Sequence, residues 1–407
     1  MKTIVVGGGA AGMIAAYYAA ITGSETVLIE KNEKLGKKIY ITGKGRCNIT
    51  NNCSPQEFLS NVVSNSKFLT SAIFGFQPQD MVDLLECNGL PVKTERGNRV
   101  FPVSDKSSDV IKTLANMCKF AGVQILLNEA VERILTEEGS VVGVETELGS
   151  YRADKVVLAT GGISYPSTGS TGDGYRFAKS LGHKIVPAVQ ALVPFKIKGD
   201  YCARLSGLSL KNVSLNTYVG GKLFSSQFGE MLFTHQGVSG PIVLTTSSLI
   251  NRVDKKNLTM HVDLKPALDF ETLDNRLLRD FDELKNRTLK NSLDKLLPSG
   301  LIPIIIERTG IPENKRNNEI TRAERQRIVQ VVKNFTLDFD CLAPFTEAVV
   351  TAGGVSVGEI NPKTMESKLV KGLFFAGEII DVDAFTGGYN LQIAFSTGVK
   401  AGTCENY

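Results

Sequence analysis

The sequence predicts an α/β fold built on a parallel sheet, interrupted by an inserted unit that is first β-rich and then helical. Three observations predict it. Residues 2–30 read as strand, glycine turn, helix and strand. Lys155-Val156-Val157-Leu158-Ala159 carries a four-residue apolar run of the kind found in strands buried on both faces. From about residue 345 a glycine-rich α/β texture returns after a long stretch of different character.

The first element is the most informative. Lys2-Thr3-Ile4-Val5-Val6 runs straight into Gly7-Gly8-Gly9-Ala10-Ala11-Gly12, and Ala15, Ala16, Ala19 and Ala20 continue a small-residue helix that Gly23 stops. Thr26-Val27-Leu28-Ile29 forms the next strand and ends in Glu30, eighteen positions past Gly12. That context is what a dinucleotide-binding turn needs. Gly7 permits the tight turn, Gly9 has no Cβ to hold a pyrophosphate off the backbone, and Gly12 lets the helix close on its strand. The helix N-terminus offers free N–H groups and a positive dipole end to phosphates. Glu30 is placed to accept hydrogen bonds from ribose hydroxyls. The motif by itself does not separate FAD from NAD.

The remaining elements follow in order. Lys34 to Asn52 reads as a loop, and residues 55–127 as mostly helical with short strands. Asp109 to Phe120 has helical apolar spacing, Gly122 stops it, and Val123 to Leu126 is a strand. Three short strands, 130–134, 141–145 and 151–153, separated by Glu138-Gly139-Ser140 and Leu148-Gly149-Ser150, make an antiparallel meander. It leads into the buried strand at 155, which ends in Thr160-Gly161-Gly162. Short strands with polar turns, such as 212–219 and 258–264, fill residues 191–267. Residues 268–336 are helical and charged, broken by Pro298, Pro303 and Pro312. The expected domains are therefore 1–190 and 337–407 for one α/β unit, 191–267 for a β-rich insert and 268–336 for a helical one.

Composition excludes several classes. A net charge of +4 over 407 residues gives no reason to expect nucleic acid or a membrane surface as the main partner. No window approaches eighteen uninterrupted apolar residues, and the first strand begins at residue 2, so the expected location is the cytoplasm. Seven cysteines (47, 53, 87, 118, 202, 341 and 404) lack CxxC spacing, and there are three histidines, so neither a redox dithiol nor a metal site is expected.

A second informative segment lies near the end. Leu373-Phe374-Phe375-Ala376 reads as a buried strand running into Gly377-Glu378. A loop then enters a helix through Gly387-Gly388-Tyr389-Asn390-Leu391. A second glycine-framed helix N-terminus suits the N1–C2=O edge of a flavin, where negative charge gathers on reduction. This favours FAD over NAD.

Five strings now carry a resemblance: Val5-Val6-Gly7-Gly8-Gly9-Ala10-Ala11-Gly12, Thr42-Gly43-Lys44-Gly45-Arg46-Cys47-Asn48-Ile49-Thr50-Asn51, Leu158-Ala159-Thr160-Gly161-Gly162, Phe233-Thr234-His235-Gln236-Gly237-Val238-Ser239-Gly240-Pro241, and Ala376-Gly377-Glu378 through Gln392. In order and over the whole chain, they resemble the BaiN/YhiN-type bacterial flavoproteins, labelled NAD(P)/FAD-dependent oxidoreductases or aminoacetone-oxidase-family FAD-binding enzymes. Lys44 departs from the pattern, standing where that family has a glycine. The resemblance implies a glutathione-reductase-like FAD-binding Rossmann domain, an inserted β-barrel-like domain, a small helical domain and non-covalent FAD. It assigns Gly7, Gly9, Ala10, Ala11 and Gly12 to the pyrophosphate, Glu30 to the adenosine ribose, and Lys31 and Val131 to the adenine end. Lys38, Gly45, Arg46, Cys47 and Asn48 would line the stretch from diphosphate to isoalloxazine. Ala159, Thr160 and Gly161 would approach the dinucleotide, Gly377 and Glu378 the ribityl or phosphate region, and Gly388, Tyr389, Asn390 and Leu391 the flavin ring.

Arg46, Tyr389 and Asn390 are the residues expected to polarise substrate or flavin. Cys47 has no partner cysteine at redox spacing, and Thr234-His235-Gln236-Gly237 is no nucleophile elbow. Arg316 to Arg327 alternates with Glu319 and Glu324 and reads as a solvated helix face. The expected activity is hydride transfer between FAD and an activated C=C, such as that of a 3-oxo bile acid or steroid-like enone, or a C=N bond of a small molecule. No second GxGxxG is present, so NAD(P)H, if it is the donor, visits transiently. An oxidase passing electrons from a small amine to O₂ is one alternative, and a flavin-binding RNA or protein interaction module is another.

Overall fold

Five parallel strands form the sheet that organises the first unit, in the spatial order Leu373–Phe375, Lys155–Leu158, Lys2–Val6, Glu25–Glu30, Gln124–Leu127. The computed structural model describes residues 1–403, so Cys404 lies outside the described residues. The chain divides into two units, 1–191 with 344–403 and 192–343.

The central strands are apolar because helices and further strands cover both of their faces. Ile4, Val5, Val156, Val157, Leu28, Leu373 and Phe375 are all buried to within 0 % exposure. From the first strand the chain builds outward one way, to Glu25–Glu30 and Gln124–Leu127, and then the other way, to Lys155–Leu158 and Leu373–Phe375. The order of addition reverses between Lys2–Val6 and Lys155–Leu158, and α/β sheets take their ligands beyond the carboxyl ends of the strands at such a switch point.

Two helices pack on this sheet in parallel, Ala10–Ile21 and Tyr389–Thr403. Their approach depends on glycine. A Cβ at Gly398 would stand 2.7 Å from the Ala11 carbonyl oxygen, and one at Gly402 would stand 2.6 Å from that of Ala15. Both contacts advance by four residues on each helix, so Ala11 is level with Gly398. The C-terminal helix therefore starts about 12 Å before the first one, at 1.5 Å per residue.

The meander appears as Val131–Glu137, Ser140–Thr146 and Gly149–Arg152. The stretch expected as a loop is more ordered than the sequence suggested. Gly36, left-handed at φ 69°, starts a short helix over Lys37–Ile41, and Thr50–Asn51 pairs with Arg99–Pro102. The short Lys37–Ile41 run contains one fully buried apolar residue, Ile39, which is too little periodicity to read as a helix.

The second unit holds a seven-stranded antiparallel sheet, ordered Phe335–Leu337, Leu258–Asp263, Ser209–Val219, Lys222–Thr234, Gly237–Ser239, Phe195–Ile197, Phe339–Leu342. Its two end strands are neighbours in the chain, separated by Asp338 alone. Edges joined through one residue cannot be far apart, so the sheet rolls back on itself as a barrel does. Helices Phe270–Glu283, Ile302–Thr309 and Arg322–Lys333 belong to the same unit. The Arg322–Lys333 helix is tied down more firmly than a solvated face. Thr321 and Glu324 form a capping box, Lys315 pairs with Glu324 at 2.7 Å, and Arg325 grips both oxygens of Asp274.

Candidate dinucleotide site

The segments expected to hold a dinucleotide follow the carboxyl ends of the five parallel strands. Gly7 to Gly12 follows Val6, Glu30 and Lys31 close the second strand, Ala159 to Gly161 follow Leu158, and Gly377 and Glu378 follow Phe375. The Asn128 and Glu129 amides donate to the Asn32 and Glu30 carbonyls, which brings Val131 to the same edge.

The glycines of the turn have separable roles. Gly7 sits at φ 103°, and a Cβ there would meet the Ala159 carbonyl oxygen at 2.6 Å. A Cβ on Gly12 would lie 1.8 Å from the Gly7 carbonyl oxygen, so that position serves helix-on-strand packing. A Cβ on Gly9 would meet nothing within 4 Å. No packing contact requires a glycine there, and the space in front of it is open. Ala10 and Ala11 begin the helix whose unbonded N–H groups face the same way.

Glu30 is bound to the turn itself. Its Oε2 accepts from the Gly8 amide at 2.7 Å, and Oε1 accepts from the Asn32 amide at 2.8 Å and from Asn32 Nδ2 at 2.6 Å. Lys31 Nζ donates to Thr171 Oγ1 and pairs with Asp173 Oδ2 at 2.5 Å, joining the strand end to the Asp173–Ser180 helix.

A second polar cluster centres on Glu378. Its Oε2 takes Lys38 Nζ at 2.5 Å, and its Oε1 takes the Ser164 hydroxyl and the Thr351 amide, each at 2.8 Å. Burial pushes this carboxyl upward, but the charge and hydrogen bond of Lys38 and the other donors outweigh it and hold the group below its ordinary range. Tyr175 lies close enough for Glu378 to raise its phenol further, after burial has raised it most. Ser164, Thr351 and Tyr175 had no motif to mark them.

The segment before Cys47 is strained. Gly43, Lys44, Gly45 and Cys47 all occupy the left-handed region, at φ 61°, 58°, 86° and 60°. Lys44, the departure from the glycine pattern, adopts a conformation that costs a non-glycine residue about 1 kcal/mol. Arg46 is engaged by acids: Nη2 meets Glu95 Oε1 at 2.5 Å and Asp105 Oδ1 at 2.6 Å, and its guanidinium lies 4.2 Å from the centre of the Phe101 ring. Hydrogen bonds to Glu95 and Asp105 raise the Arg46 pKa further.

Cys47 is fully buried, and burial pushes its thiol up to about 12. Cys87 is exposed. A disulfide-exchange reagent at pH 8 is therefore expected to label Cys87 in the native protein and to reach Cys47 only after unfolding. Peptide mapping by mass spectrometry checks this; native labelling of Cys47 at the rate of Cys87 would contradict it.

The C-terminal helix begins against this same segment. Gly388, at φ 99°, lies so close to Thr50 that a Cβ would meet its backbone at 2.4 Å, and Asn51 Nδ2 donates to the Gly387 carbonyl at 3.1 Å. Tyr389 packs edge-to-face on Phe58 at 5.2 Å between centroids, and burial raises its phenol to about 12. Asn390 is used on the preceding loop, accepting from the Ala384 amide at 3.0 Å and donating to its carbonyl at 2.7 Å. Of the three residues expected to polarise substrate or flavin, Arg46 and Asn390 are thus bound to protein groups.

Does the region fit FAD? Four buried side-chain oxygens, Asn48 Oδ1, Thr50 Oγ1, Thr160 Oγ1 and Tyr175 Oη, find no partner among the described residues. Buried polar atoms left this way are costly; Thr217 Oγ1 and Asn317 Oδ1 in the second unit share the state, so it is the clustering of these four that suits a ligand. They fall on the segments that carry the glycine turn's neighbours, the 42–51 loop and the Glu378 cluster. With the open space at Gly9 and two helix N-termini staggered by about 12 Å along parallel axes, the residues fit an extended dinucleotide.

No group of three or more His, Cys, Asp or Glu among the described residues could hold a metal ion, and no helix among them is long and apolar enough to cross a membrane.

Residues 1–404 match the family model described as the HI0933-like protein Rossmann domain. A 3-dehydro-bile acid delta(4,6)-reductase of Clostridium scindens is 32% identical over 98% of this chain and 97% of its own. A ribosomal RNA dihydrouridine synthase of Haemophilus influenzae is 31% identical over 97% of this chain and 96% of its own. Among solved structures, a 3-ketosteroid-delta4-(5alpha)-dehydrogenase of Rhodococcus jostii matches with a TM-score of 0.54 at 16% identity, over 99% of this chain and 96% of its own.

Proposed function

From the premise that this chain belongs to the HI0933-like Rossmann-domain family, FAD-dependent oxidoreductases, we propose that it saturates a carbon–carbon double bond conjugated to a carbonyl, with NAD(P)H as electron donor. One observation carries the reading: two relatives matched over nearly their full length act on unlike molecules but alter the same kind of bond. A delta(4,6)-reductase of a 3-dehydro bile acid removes double bonds in conjugation with the 3-oxo group. Dihydrouridine formation removes the C5=C6 bond of uracil, conjugated to its C4 carbonyl. In both, the carbon remote from the carbonyl is electron-poor, so it accepts a hydride while a proton goes to its neighbour. NAD(P)H is oxidised to NAD(P)⁺ in the balance.

FAD supplies the hydride chemistry when bound. Gly7, Gly9 and the N–H groups of Ala10, Ala11 and Gly12 would hold its pyrophosphate, and Glu30 with Val131 and Lys31 its adenosine end. A carboxylate offers about four acceptor positions; the protein fills three on Glu378, which leaves capacity for a ribityl hydroxyl. The N–H groups of Tyr389, Asn390 and Leu391 would face the ring edge that gains negative charge, the electrostatic device of an oxyanion hole. Tyr389, like any phenol, is protonated at neutral pH, and burial raises it further to about 12, so it would serve as a hydrogen-bond donor to a substrate carbonyl. Arg46 and Asn390 would act by holding the 42–48 and 384–385 loops in place.

The test is anaerobic. NADH or NADPH is expected to bleach the flavin absorbance, and a conjugated 3-oxo steroid or a uridine-containing RNA is expected to restore it with one equivalent of saturated product. A flavin that stays oxidised with both nucleotides, or reduced flavin that O₂ alone reoxidises, would overturn the proposal.

A further inference from the structure

We propose that the outer face of the seven-stranded sheet in the second unit docks single-stranded RNA; this rests on the reading that the reduced bond is conjugated to a carbonyl, and takes uracil as the ring that carries it. Strand register defines the face. Paired residues point the same way, so Phe228 with Ser214, Ser226 with Asn216, and Leu223 with Tyr218 share one side. The next strand adds His261 opposite Asn216. Their alternates point inward, and Leu215, Thr217, Met260 and Val262 are at 0% exposure.

The outward side chains are unusual for a solvated sheet. Phe228 is 65% exposed and Leu223 is 59% exposed, and Phe224, extruded at an irregularity in the pairing, is 48% exposed. Tyr218 stands edge-to-face with His261 at 5.7 Å. Along the strand, the Phe228 and Tyr218 rows lie about 13 Å apart, a spacing that suits two or three unstacked bases. Between the rings are hydrogen-bonding groups that can also serve base edges and 2′-hydroxyls. Asn216 and Ser226 bond to each other at 2.7 Å, and His261 meets the Thr336 hydroxyl at 3.2 Å.

Charge selects the partner. The second unit carries 22 lysines and arginines against 17 acids, and the rest of the chain 24 against 25, so the protein's positive excess resides in this unit. Within residues 192–264 the balance is eight to four. Exposed Lys222 sits at the hairpin tip opposite Val219, next to Leu223 but on the alternate side of the strand by register. Exposed Lys255 and Lys256 lead into the strand whose Leu258 pairs with Val219, at the same end of the face. Of the acids near the face, Asp263 at the Phe228 end is neutralised by Lys333 at 2.6 Å, Glu230 at that end remains exposed, and Asp254 precedes Lys255 and caps its turn by accepting from the Lys256 amide at 3.1 Å. Aromatic platforms with a basic margin bind single strands by stacking and phosphate neutralisation. An interface with an apolar protein surface would not need the lysines.

The experiment uses the FAD-loaded protein and a labelled uridine-rich single-stranded RNA, read by fluorescence anisotropy across a salt series. Phe228→Ala and Tyr218→Ala are each expected to weaken binding about tenfold. Lys255→Glu with Lys256→Glu is expected to weaken it further and to flatten the salt dependence. All are expected to leave the flavin spectrum and the reduction of a small conjugated enone unchanged. Affinity that is the same in every variant, or equal affinity for duplex RNA, overturns the surface. So does a Phe228→Ala protein that changes from dimer to monomer in sedimentation with RNA affinity intact, which would assign the face to a second copy of this chain. Enone reduction with variant-insensitive RNA binding sinks only this surface; variant-sensitive RNA binding without reduction of any conjugated acceptor sinks only the reaction.

Discussion

Gly9→Val is expected to leave the chain folded but unable to retain FAD, whereas Gly12→Ala is expected to cost the fold itself. The two positions belong to one turn, and their surroundings separate them. Gly9 is at φ −84° and ψ −164°, an extended conformation that valine adopts readily, and a Cβ there would have no heavy atom beyond its chain neighbours within 4 Å. The folding cost should stay below about 1 kcal/mol. That same space is where a pyrophosphate must touch the backbone, so FAD affinity should fall at least about a hundredfold, roughly 2.7 kcal/mol. At Gly12 the added methyl would lie 1.8 Å from the Gly7 carbonyl oxygen. The contact is backbone, not a flexible side chain, so the first helix must lift from its strand, at about 3 kcal/mol or more. Thermal melting by circular dichroism and FAD titration of the apoprotein separate the outcomes. Stoichiometric FAD in purified Gly9→Val would show that the open space has another use.

That contrast also marks what the sequence could reveal. The turn, its helix and the strand ending in Glu30 are local, since glycine spacing and apolar runs within thirty residues specify them. The return of the fold near Leu373 was legible for the same reason. Partnerships across the chain were not. Arg46 meets acids 49 and 59 residues away, and Lys38 meets a glutamate 340 residues away. Nothing near Arg46 in the sequence foretells that its guanidinium is taken, or near Asn390 that its amide serves the loop at Ala384. Thr351 and Ser164 sit in segments without a motif, and their role exists only because the fold brings them to Glu378. Rolling of the inserted sheet is likewise a long-range property, closed by two strands that Asp338 joins. Net charge misleads for a related reason: +4 over the whole chain hides its concentration in one unit.

Lys38→Met should expose how much the apoprotein depends on that long-range pair. The Lys38 and Glu378 side chains are 26% and 19% exposed, so Glu378 would be left as a largely desolvated carboxylate with two neutral donors. Removing one partner of a buried pair costs about 3–5 kcal/mol, and partial exposure here reduces the expected loss to about 2 kcal/mol. Glu378→Gln in the same chain should restore part of it, because an amide does not demand a counter-charge while its carbonyl still accepts from Ser164 and Thr351. The sign with pH follows from the direction of the shift. Glu378 is held below its ordinary value of 4.5, so its contribution is complete above that value and declines as pH falls through the lowered one. The stability difference between wild type and Lys38→Met, measured by urea unfolding, should therefore be largest at neutral to alkaline pH and shrink as pH falls, first as the desolvated Glu378 of the variant takes up a proton above 4.5 and then as the wild-type carboxyl does below it. A difference that grows on acidification would mean that the Glu378 carboxyl is not the charge Lys38 stabilises. If both proteins unfold alike at every pH, the pair contributes nothing to the apoprotein, and its value must then be sought in FAD affinity, where Glu378 has one acceptor position to spare.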